Sequence, residues 1–324
     1  MKKDKKMFIL IQAVLSLLVI LLVVVMLREQ SGKEQYQVSV IVENSDDNQW
    51  SAFKYGLKMA AEDRGAEMFM VSTGAVLTPE EEKKLIEQEV KNGADAVIAE
   101  PVPGTDPAKL LKEVQGKISV MLVGGELPKS EKRRGFPVVR ADDYAMGQAL
   151  AEELLKDYDG KLNGKSLGMI GGRRDSQSIR NREEGFTETL KETGVEVLWS
   201  GMKNPEENIK AFLESQPEVD FVIAFDDDSL TAAGEGEEAN NLHGALVYGI
   251  GNSTEAVYYL DVGTAECVVV SDAFYAGYQS LTGLMNGMEN SFRNYEEPQI
   301  SYTVMRRENL FSKENQDILF TMSQ

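Results

Sequence analysis

From residue 35 onward the chain alternates short apolar runs with stretches in which apolar residues recur every three or four positions. The runs read as strands: QVSVIVE near 37–43, EMFMVS near 67–72, DAVIAE near 95–100, ISVMLVG near 118–124, SLGMIGG near 166–172, VEVLWS near 195–200, FVIAF near 221–225, ALVYGIG near 245–251 and ECVVVSD near 266–272. Between most of them lie helical patterns, such as Trp50, Phe53, Leu57, Ala60 and Ala61, or Met146, Leu150, Ala151, Leu154 and Leu155. A run that is apolar at nearly every position has no solvent face. Its alternation with helices therefore predicts parallel sheets covered on both sides, an α/β protein.

Roughly nine or ten strands fit two sheets better than one. A break falls at VVRADDYAMG, where residues 138–140 read as a short extended crossing before a helix capped by Asp142 or Asp143. The predicted organisation is an N-terminal lobe of 37–140, completed by the helical AFYAGYQSLTGLMNGM segment over about 273–300, a C-terminal lobe of 141–272, and a last crossing and tail over 301–324.

Ahead of this body, residues 7–27 are apolar except for Gln12 and Ser16. That length crosses a bilayer core of about 30 Å as a helix. Lys2, Lys3, Lys5 and Lys6 precede it, which places a short tail, 1–6, in the cytoplasm. The expectation is a single-pass anchor in the cell membrane, a linker over 28–36 and an extracytoplasmic body. A cleaved signal peptide is the rival, but its apolar stretch is usually about 7–15 residues long and ends in an A-x-A-like site, and VVVMLREQ offers none. A lipid-anchored N-terminus needs a nearby cysteine, and Cys267 is the single one in the chain.

Charge and composition narrow the chemistry. With 34 Lys and Arg against 53 Asp and Glu the net charge is −19, which opposes a nucleic-acid partner because phosphate binding needs clustered cations. One cysteine permits no internal disulfide. The single histidine, His243, stands in NNLHGALV without cysteine neighbours, which opposes a zinc site or a Ser-His-Asp triad. The GxG of YGIGNS is too short for a dinucleotide fingerprint and no GKS or GKT phosphate loop exists, so no cofactor is expected.

In parallel α/β sheets ligands bind outside the carboxyl ends of the strands. The segments there are ENSDDNQW, AEPVPG, VGGEL, GGRRDSQSIR, FDDDS, GIGNS and VSDAF, and all but GIGNS carry a carboxylate. Taken in order, SDDNQWSAFKYGLKMAA, GADAVIAEPVP, RADDYAMGQALAEEL, SIRNREEGFTETL, PEVDFVIAFDDDSLTAA and ECVVVSDAFYAGY resemble the type I periplasmic binding protein family, the ribose- and galactose-type sugar-binding proteins that share the fold of the LacI ligand-binding domain. The resemblance runs from about Val38 to about Phe311. It implies two Rossmann-like lobes with parallel sheets joined by hinge crossings.

The resemblance also implies a site. The polar and aromatic sugar-contacting positions at the first helix fall on Asp47 and Trp50, and the position after the VIA strand of the N-terminal lobe falls on Glu100. The arginine three residues before Gly-Phe falls on Arg182, the polar residue after the second VIA strand on Asp226, and that at the last crossing on Ser271 or neighbouring Asp272. Two positions depart from the pattern: Gly124 and Gly125 replace an Asp-Arg pair, and Gly251 and Asn252 replace the end of a Gly-Phe-Asp. Two expected hydroxyl-binding groups are thus missing, which counts against an ordinary hexose or pentose.

The residue types support that reading on their own. Carboxylates and arginine make charge-assisted hydrogen bonds to hydroxyls, and an indole covers the C–H face of a sugar ring. Plainer roles compete at each position. Asp47 and one aspartate of FDDDS stand where helix caps belong, Trp50 shares a stripe with Phe53 and Leu57, and Arg182 lies among the alternating charges of RNREE.

The function expected is an extracytoplasmic binding protein that closes two lobes around a small sugar or polyol and presents it to a membrane partner, the permease of an ABC importer or a sensor histidine kinase. A second class is an enzyme holding Mg²⁺ on carboxylates such as Asp226, Asp227 and Glu100. Nothing in the chain supplies it with a nucleophile or phosphate cradle. A LacI-type regulator fails because a membrane span stands where the DNA-binding headpiece would be.

Overall fold

A computed structural model describes residues 15–16, 18–21, 35–74, 77–114, 116–125, 137–173, 176–203, 208–290 and 295–324. The chain divides into an N-terminal unit, Met1–Tyr36, and a body, Gln37–Gln324. In the first unit residues 15–16 and 18–21 are helical and Leu15, Leu18, Val19, Ile20 and Leu21 are exposed. Most of the expected span, 7–27, lies outside the described residues. Among the described residues no helix is long and apolar enough to cross a membrane.

The body holds two six-stranded sheets. The first contains β1 (Tyr36–Ile41), β2 (Ala66–Met70), β3 (Ala96–Ala99), β4 (Ser119–Val123), β5 (Val138–Ala141) and β11 (Gln299–Ile300), in the order β11-β5-β4-β3-β1-β2. The second contains β6 (Ser166–Arg173), β7 (Glu196–Lys203), β8 (Phe221–Ala224), β9 (Leu246–Ile250), β10 (Ala265–Ser271) and β12 (Tyr302–Met305), in the order β12-β10-β9-β8-β6-β7. Strand β12 runs antiparallel to β10, whereas β1 with β3, β3 with β4, β6 with β8 and β8 with β9 are parallel.

The period of two explains why the central strands are apolar throughout. In β3, Ala96 and Ile98 enter one core cluster with Phe53, Leu57 and Leu281, while Val97 and Ala99 enter another with Ile86, Leu110 and Leu122. Strand β8 does the same in the second sheet, with Val222 and Ala224 on one face and Phe221 and Ile223 on the other.

Helices cover these faces: α1 (Ser51–Arg64), α2 (Pro79–Asn92), α3 (Pro107–Val114), α4 (Asp143–Asp157), α5 (Gln177–Leu190), α6 (Ile209–Glu214), α7 (Asp227–Glu238), α8 (Thr254–Val262), α9 (Ala273–Asn290) and α10 (Lys313–Met322). Their limits follow local chemistry. Helix α2 begins at a capping box between Thr78 and Glu81 with Pro79 in its first turn, and stops at Gly93, whose φ of 92° ends the helix.

Helix α9 returns to the first sheet and packs on α1 backbone to backbone. A Cβ placed on Gly56 would stand 2.0 Å from the Phe274 carbonyl oxygen, and one on Gly277 would stand 2.1 Å from that of Phe53. The second sheet repeats the arrangement with α4 and α5: a Cβ on Gly147 would lie 2.0 Å from the Arg182 carbonyl oxygen, and one on Gly185 2.1 Å from that of Tyr144.

Three crossings join the lobes, at Ala141–Asp142, at Ser271–Asp272 and at Ser301. They lie side by side: Ile300 pairs with Ala141, Ser271 with Tyr302, and the Asp272 amide donates to the Ser301 carbonyl at 2.9 Å. The last segment differs from expectation. Residues 301–324 are not only a crossing and tail, because 313–322 form α10, whose Ile318, Leu319 and Met322 pack on the second lobe's core while Phe320 meets Tyr55 of α1 at 6.1 Å between ring centroids.

Candidate functional site

A cavity of about 510 Å³ opens at the carboxyl ends of both sheets. The first lobe lines it with Glu43 and Asn44 after β1, Gln49 and Trp50 in the 3-10 turn ahead of α1, and the loop from Glu100 to Pro107 after β3. The second lobe contributes Gly172, the start of α5 from Ser176 to Arg180, and Asp226, Asp227 and Asp228 after β8.

Trp50 is half-buried on this wall. Its Nε1 donates to the Glu43 carbonyl at 3.1 Å and its ring meets Phe53 edge-on at 5.6 Å, so the indole is fixed from behind. Glu100 follows β3 and faces the cavity; loss of hydration, aided by the charge of Glu43, pushes its carboxyl up to about 8, and Arg182 pulls in the opposite direction. Asp226 also lines the cavity. It caps α7 by accepting the Ser229 amide at 2.8 Å, and burial raises its pKa. A Cβ on Gly172 would come within 2.5 Å of its Oδ2, so the glycine leaves room for that carboxylate.

The other expected residues stand elsewhere. Asp47 caps the 3-10 turn, accepting from the Gln49 amide at 3.0 Å and from Asn44 Nδ2 at 2.8 Å, and lines a neighbouring space with Asp46, Asn208 and Glu255. Arg182 is engaged inside the second lobe: Nε binds Asp143 Oδ1 at 2.8 Å and a terminal nitrogen donates to the Phe225 carbonyl at 2.7 Å. It acts on Glu100 and Asp226 through its charge and does not line the cavity. Ser271 exchanges two hydrogen bonds with Asn252, at 2.7 and 3.0 Å, and Asp272 caps α9 by accepting the Tyr275 amide at 2.9 Å. Both belong to the crossings. The fold thus brings Trp50, Glu100 and Asp226 together and sets Asp47, Arg182, Ser271 and Asp272 around them.

Several lining residues carry no forewarning beyond their place after a strand, among them Glu43, Thr105, Asp106 and Gln177. Asp227, also on the cavity wall, is tied within the second lobe, accepting the Asn252 and Ser253 amides at 2.8–2.9 Å, with burial raising it to about 6. Behind the wall Glu82 of α2 is fully enclosed; its Oε2 accepts from the Thr105 hydroxyl at 2.8 Å, the Val102 backbone also favours its ionised form, and burial outweighs both and pushes the carboxyl up to about 7. Among the described residues no group of three or more His, Cys, Asp or Glu is arranged to hold a metal ion. His243 is an exposed turn residue at φ 55°, and Cys267 is a buried thiol that desolvation pushes up to about 12.

Two α/β lobes, joined by three crossings and holding a polar cavity between the carboxyl ends of their sheets, define a two-lobed ligand-binding protein. Residues 38–288 match the family described as periplasmic binding protein domain, and the chain belongs to that family. It is accordingly a binding protein and not an enzyme, which removes the Mg²⁺-dependent reading.

Solved structures share the fold. A glucose-galactose binding protein from Geobacillus stearothermophilus is 18% identical, covering 86% of this chain and 100% of its own, with a TM-score of 0.69. An ABC transporter solute-binding protein from Bacillus halodurans with bound myo-inositol is 20% identical, covering 89% and 99%, with a TM-score of 0.74. A chain of the XylFII-LytSN complex is 15% identical, covering 85% and 98%, with a TM-score of 0.71. No curated protein sequence matches the chain.

Proposed function

We propose that this chain is an extracytoplasmic solute-binding protein for a small carbohydrate-like ligand, a sugar or polyol, held to the cell membrane by residues 7–27 with its N-terminus in the cytoplasm. The observation that carries the reading is the cavity wall: one fixed indole, Trp50, faces a space whose polar groups, Glu100 and Asp226 among them, come from both lobes. An indole covers a ring face and carboxylates bind hydroxyls, so a ligand there touches both lobes at once. Such a ligand binds the closed arrangement better than the open one and thereby drives closure about the crossings. The glucose-galactose binding protein and the myo-inositol-bound solute-binding protein that share this fold support the ligand class.

The partner that reads the closed form is a membrane protein, the permease of an ABC importer or a histidine kinase. Thermal shift and titration calorimetry on the full-length chain test the reading with D-glucose, D-galactose, D-arabinose and myo-inositol, together with two-ring carbohydrates such as lactose and cellobiose. Binding of at least one probe with a raised melting temperature is the expected result, and silence across the whole panel would overturn it.

A further inference from the structure

A second cavity, of about 490 Å³, lies on the side of the crossings. Its walls include Arg140 and Asp142 of the first crossing, Glu297 and the chain up to Ile300 ahead of the third, and Asn181 and Glu184 of α5. It meets the cavity already described at two shared residues, Gly125 and Ser178. Gly125 has no side chain, and a Cβ placed on it would stand 3.4 Å from Pro101 Cγ and 3.6 Å from Pro107 Cγ, an ordinary contact. The chain takes φ values of 69° and 76° at Gly124 and Gly125, a conformation that residues with side chains rarely adopt.

The walls of the second cavity are polar and mostly acidic, with Arg140 against Asp142, Asp143, Glu184 and Glu297. Arg140 Nε binds Glu297 Oε1 at 2.6 Å, Asp142 caps α4 through Ala145 at 3.0 Å, and Asn181 Oδ1 accepts from Gln177 Nε2 at 2.9 Å. Arg140 and Glu297 share a second bond at 3.4 Å, and each group still keeps further donors or lone pairs, since a carboxylate accepts at about four positions and an amide donates two hydrogens. Fixed donors and acceptors interspersed in this way suit a neutral, hydroxyl-rich group better than an anion or an apolar body. Ligand pockets run from about 300 to 1,000 Å³, and the two cavities joined reach the upper end of that range.

We infer that the ligand has two linked units, one ring against Trp50 and a second hydroxyl-rich unit in the cavity beside the crossings, as in a disaccharide or a glycosylated polyol. This rests on the solute-binding reading above. The second unit would touch Arg140, Asp142 and Glu297, so the occupied subsite would brace the segments about which the lobes turn.

Calorimetry on the full-length protein decides between the possibilities, with D-glucose, D-galactose and myo-inositol as one-ring probes and lactose, melibiose, cellobiose and galactinol as two-ring probes. A two-ring probe should bind at least about tenfold tighter than the rings that compose it. Glu184→Trp, which places an indole on the wall of the second cavity only, should abolish that advantage and leave one-ring affinity within about threefold. Asn181→Ala, a milder change on the wall of the second cavity only, should lower two-ring affinity by roughly three- to tenfold and leave one-ring affinity alone. One-ring probes binding as tightly as every two-ring probe would overturn the inference while the solute-binding reading stands. A two-ring advantage that survives both substitutions would overturn the location of the second subsite. No binding by any probe would sink the parent reading and this inference with it.

Discussion

Asn48 of the first lobe donates its Nδ2 to Glu255 Oε1 of the second at 2.8 Å, a bond that spans 207 positions of the chain and bridges the mouth of the molecule from the turn ahead of α1 to the first turn of α8. Both residues meet solvent, so the bond contributes no more than about 1 kcal/mol. Asn48→Ala should leave the melting temperature within about 1 °C, weaken ligand binding by roughly two- to fivefold, and raise the radius of gyration of the unliganded protein in small-angle scattering. A loss of affinity beyond a hundredfold would mean that Asn48 touches the ligand itself.

Trp50 is fixed by its hydrogen bond to Glu43 and by the Phe53 ring, yet one side of the indole faces the cavity. Trp50→Ala should cost about 1–3 kcal/mol of affinity, the scale of a ring stacked on an aromatic platform. Because the side chain is only half-buried, the stability loss should stay below the 3–5 kcal/mol of a truncated core tryptophan. Calorimetry and thermal melts on the same variant separate the two, and an intact affinity with a collapsed melting temperature would return the residue to the core.

Arg182 is a different case. Its ion pair with Asp143 is enclosed, with side chains 19% and 11% exposed, and the guanidinium also ties α5 to the Phe225 carbonyl. Arg182→Ala strands a carboxylate, so the principal effect should be on stability, about 3–5 kcal/mol in chemical denaturation. The double variant Arg182→Met with Asp143→Leu should recover most of that loss. A single variant of unchanged stability but abolished binding would place the guanidinium on the ligand.

The pH dependence of stability has a definite sign. Burial raises Glu82 from the ordinary 4.5 to about 7 and Glu100 to about 8, so between roughly pH 4.5 and 8 the folded chain holds more protons than the unfolded one. The stability supplied by these protonated groups is complete at the acid end and is lost as pH rises through their folded-state values. The melting temperature should therefore fall from pH 5 to pH 8. Glu82→Gln keeps an acceptor for Thr105 and cannot ionise, so it should flatten the slope and raise stability at pH 8 by about 3 kcal/mol, at roughly 1.4 kcal/mol per pKa unit. A variant with the wild-type slope would show that Glu82 takes no part.

The anchor is testable without a ligand. If residues 7–27 span the membrane, the protein should keep its N-terminal methionine region and stay in the pellet after a carbonate wash. Recovery of a soluble form beginning beyond Leu27 would establish cleavage instead.

What the chain revealed in advance, and what it hid, follows from how local each signal is. The strands and the stripes of α1 and α4 were legible because burial on both faces leaves no polar position in FVIA or AVIA. Trp50, Glu100 and Asp226 were legible as cavity residues since each directly follows or closes a loop at a strand's carboxyl end. Arg182 could be placed near the site but not assigned its partner, because Asp143 lies 39 positions away on another helix. Glu82 was invisible: in PEEEKK nothing distinguishes the one glutamate that turns inward from the two that do not. Helix α10 was missed for a related reason, since its apolar residues face two different lobes and do not form a single stripe.

Each crossing that feeds a helix does so through an aspartate cap, Asp142 or Asp272, followed five residues later by a glycine, Gly147 or Gly277, against which a second helix rests its backbone. Those second helices are α5 and α1. The first begins with Gln177 and Ser178 on the cavity wall, and the second begins one residue after Trp50. Where helices touch through carbonyls and bare Cα atoms, no pliable layer of side chains lies between them to absorb a displacement. Axle and jaw are therefore a single rigid part in each lobe, a lever without backlash. A few degrees of twist in three adjacent strands of chain would reach the two walls of the cavity undiminished, and pressure on either wall would be felt at the pivot.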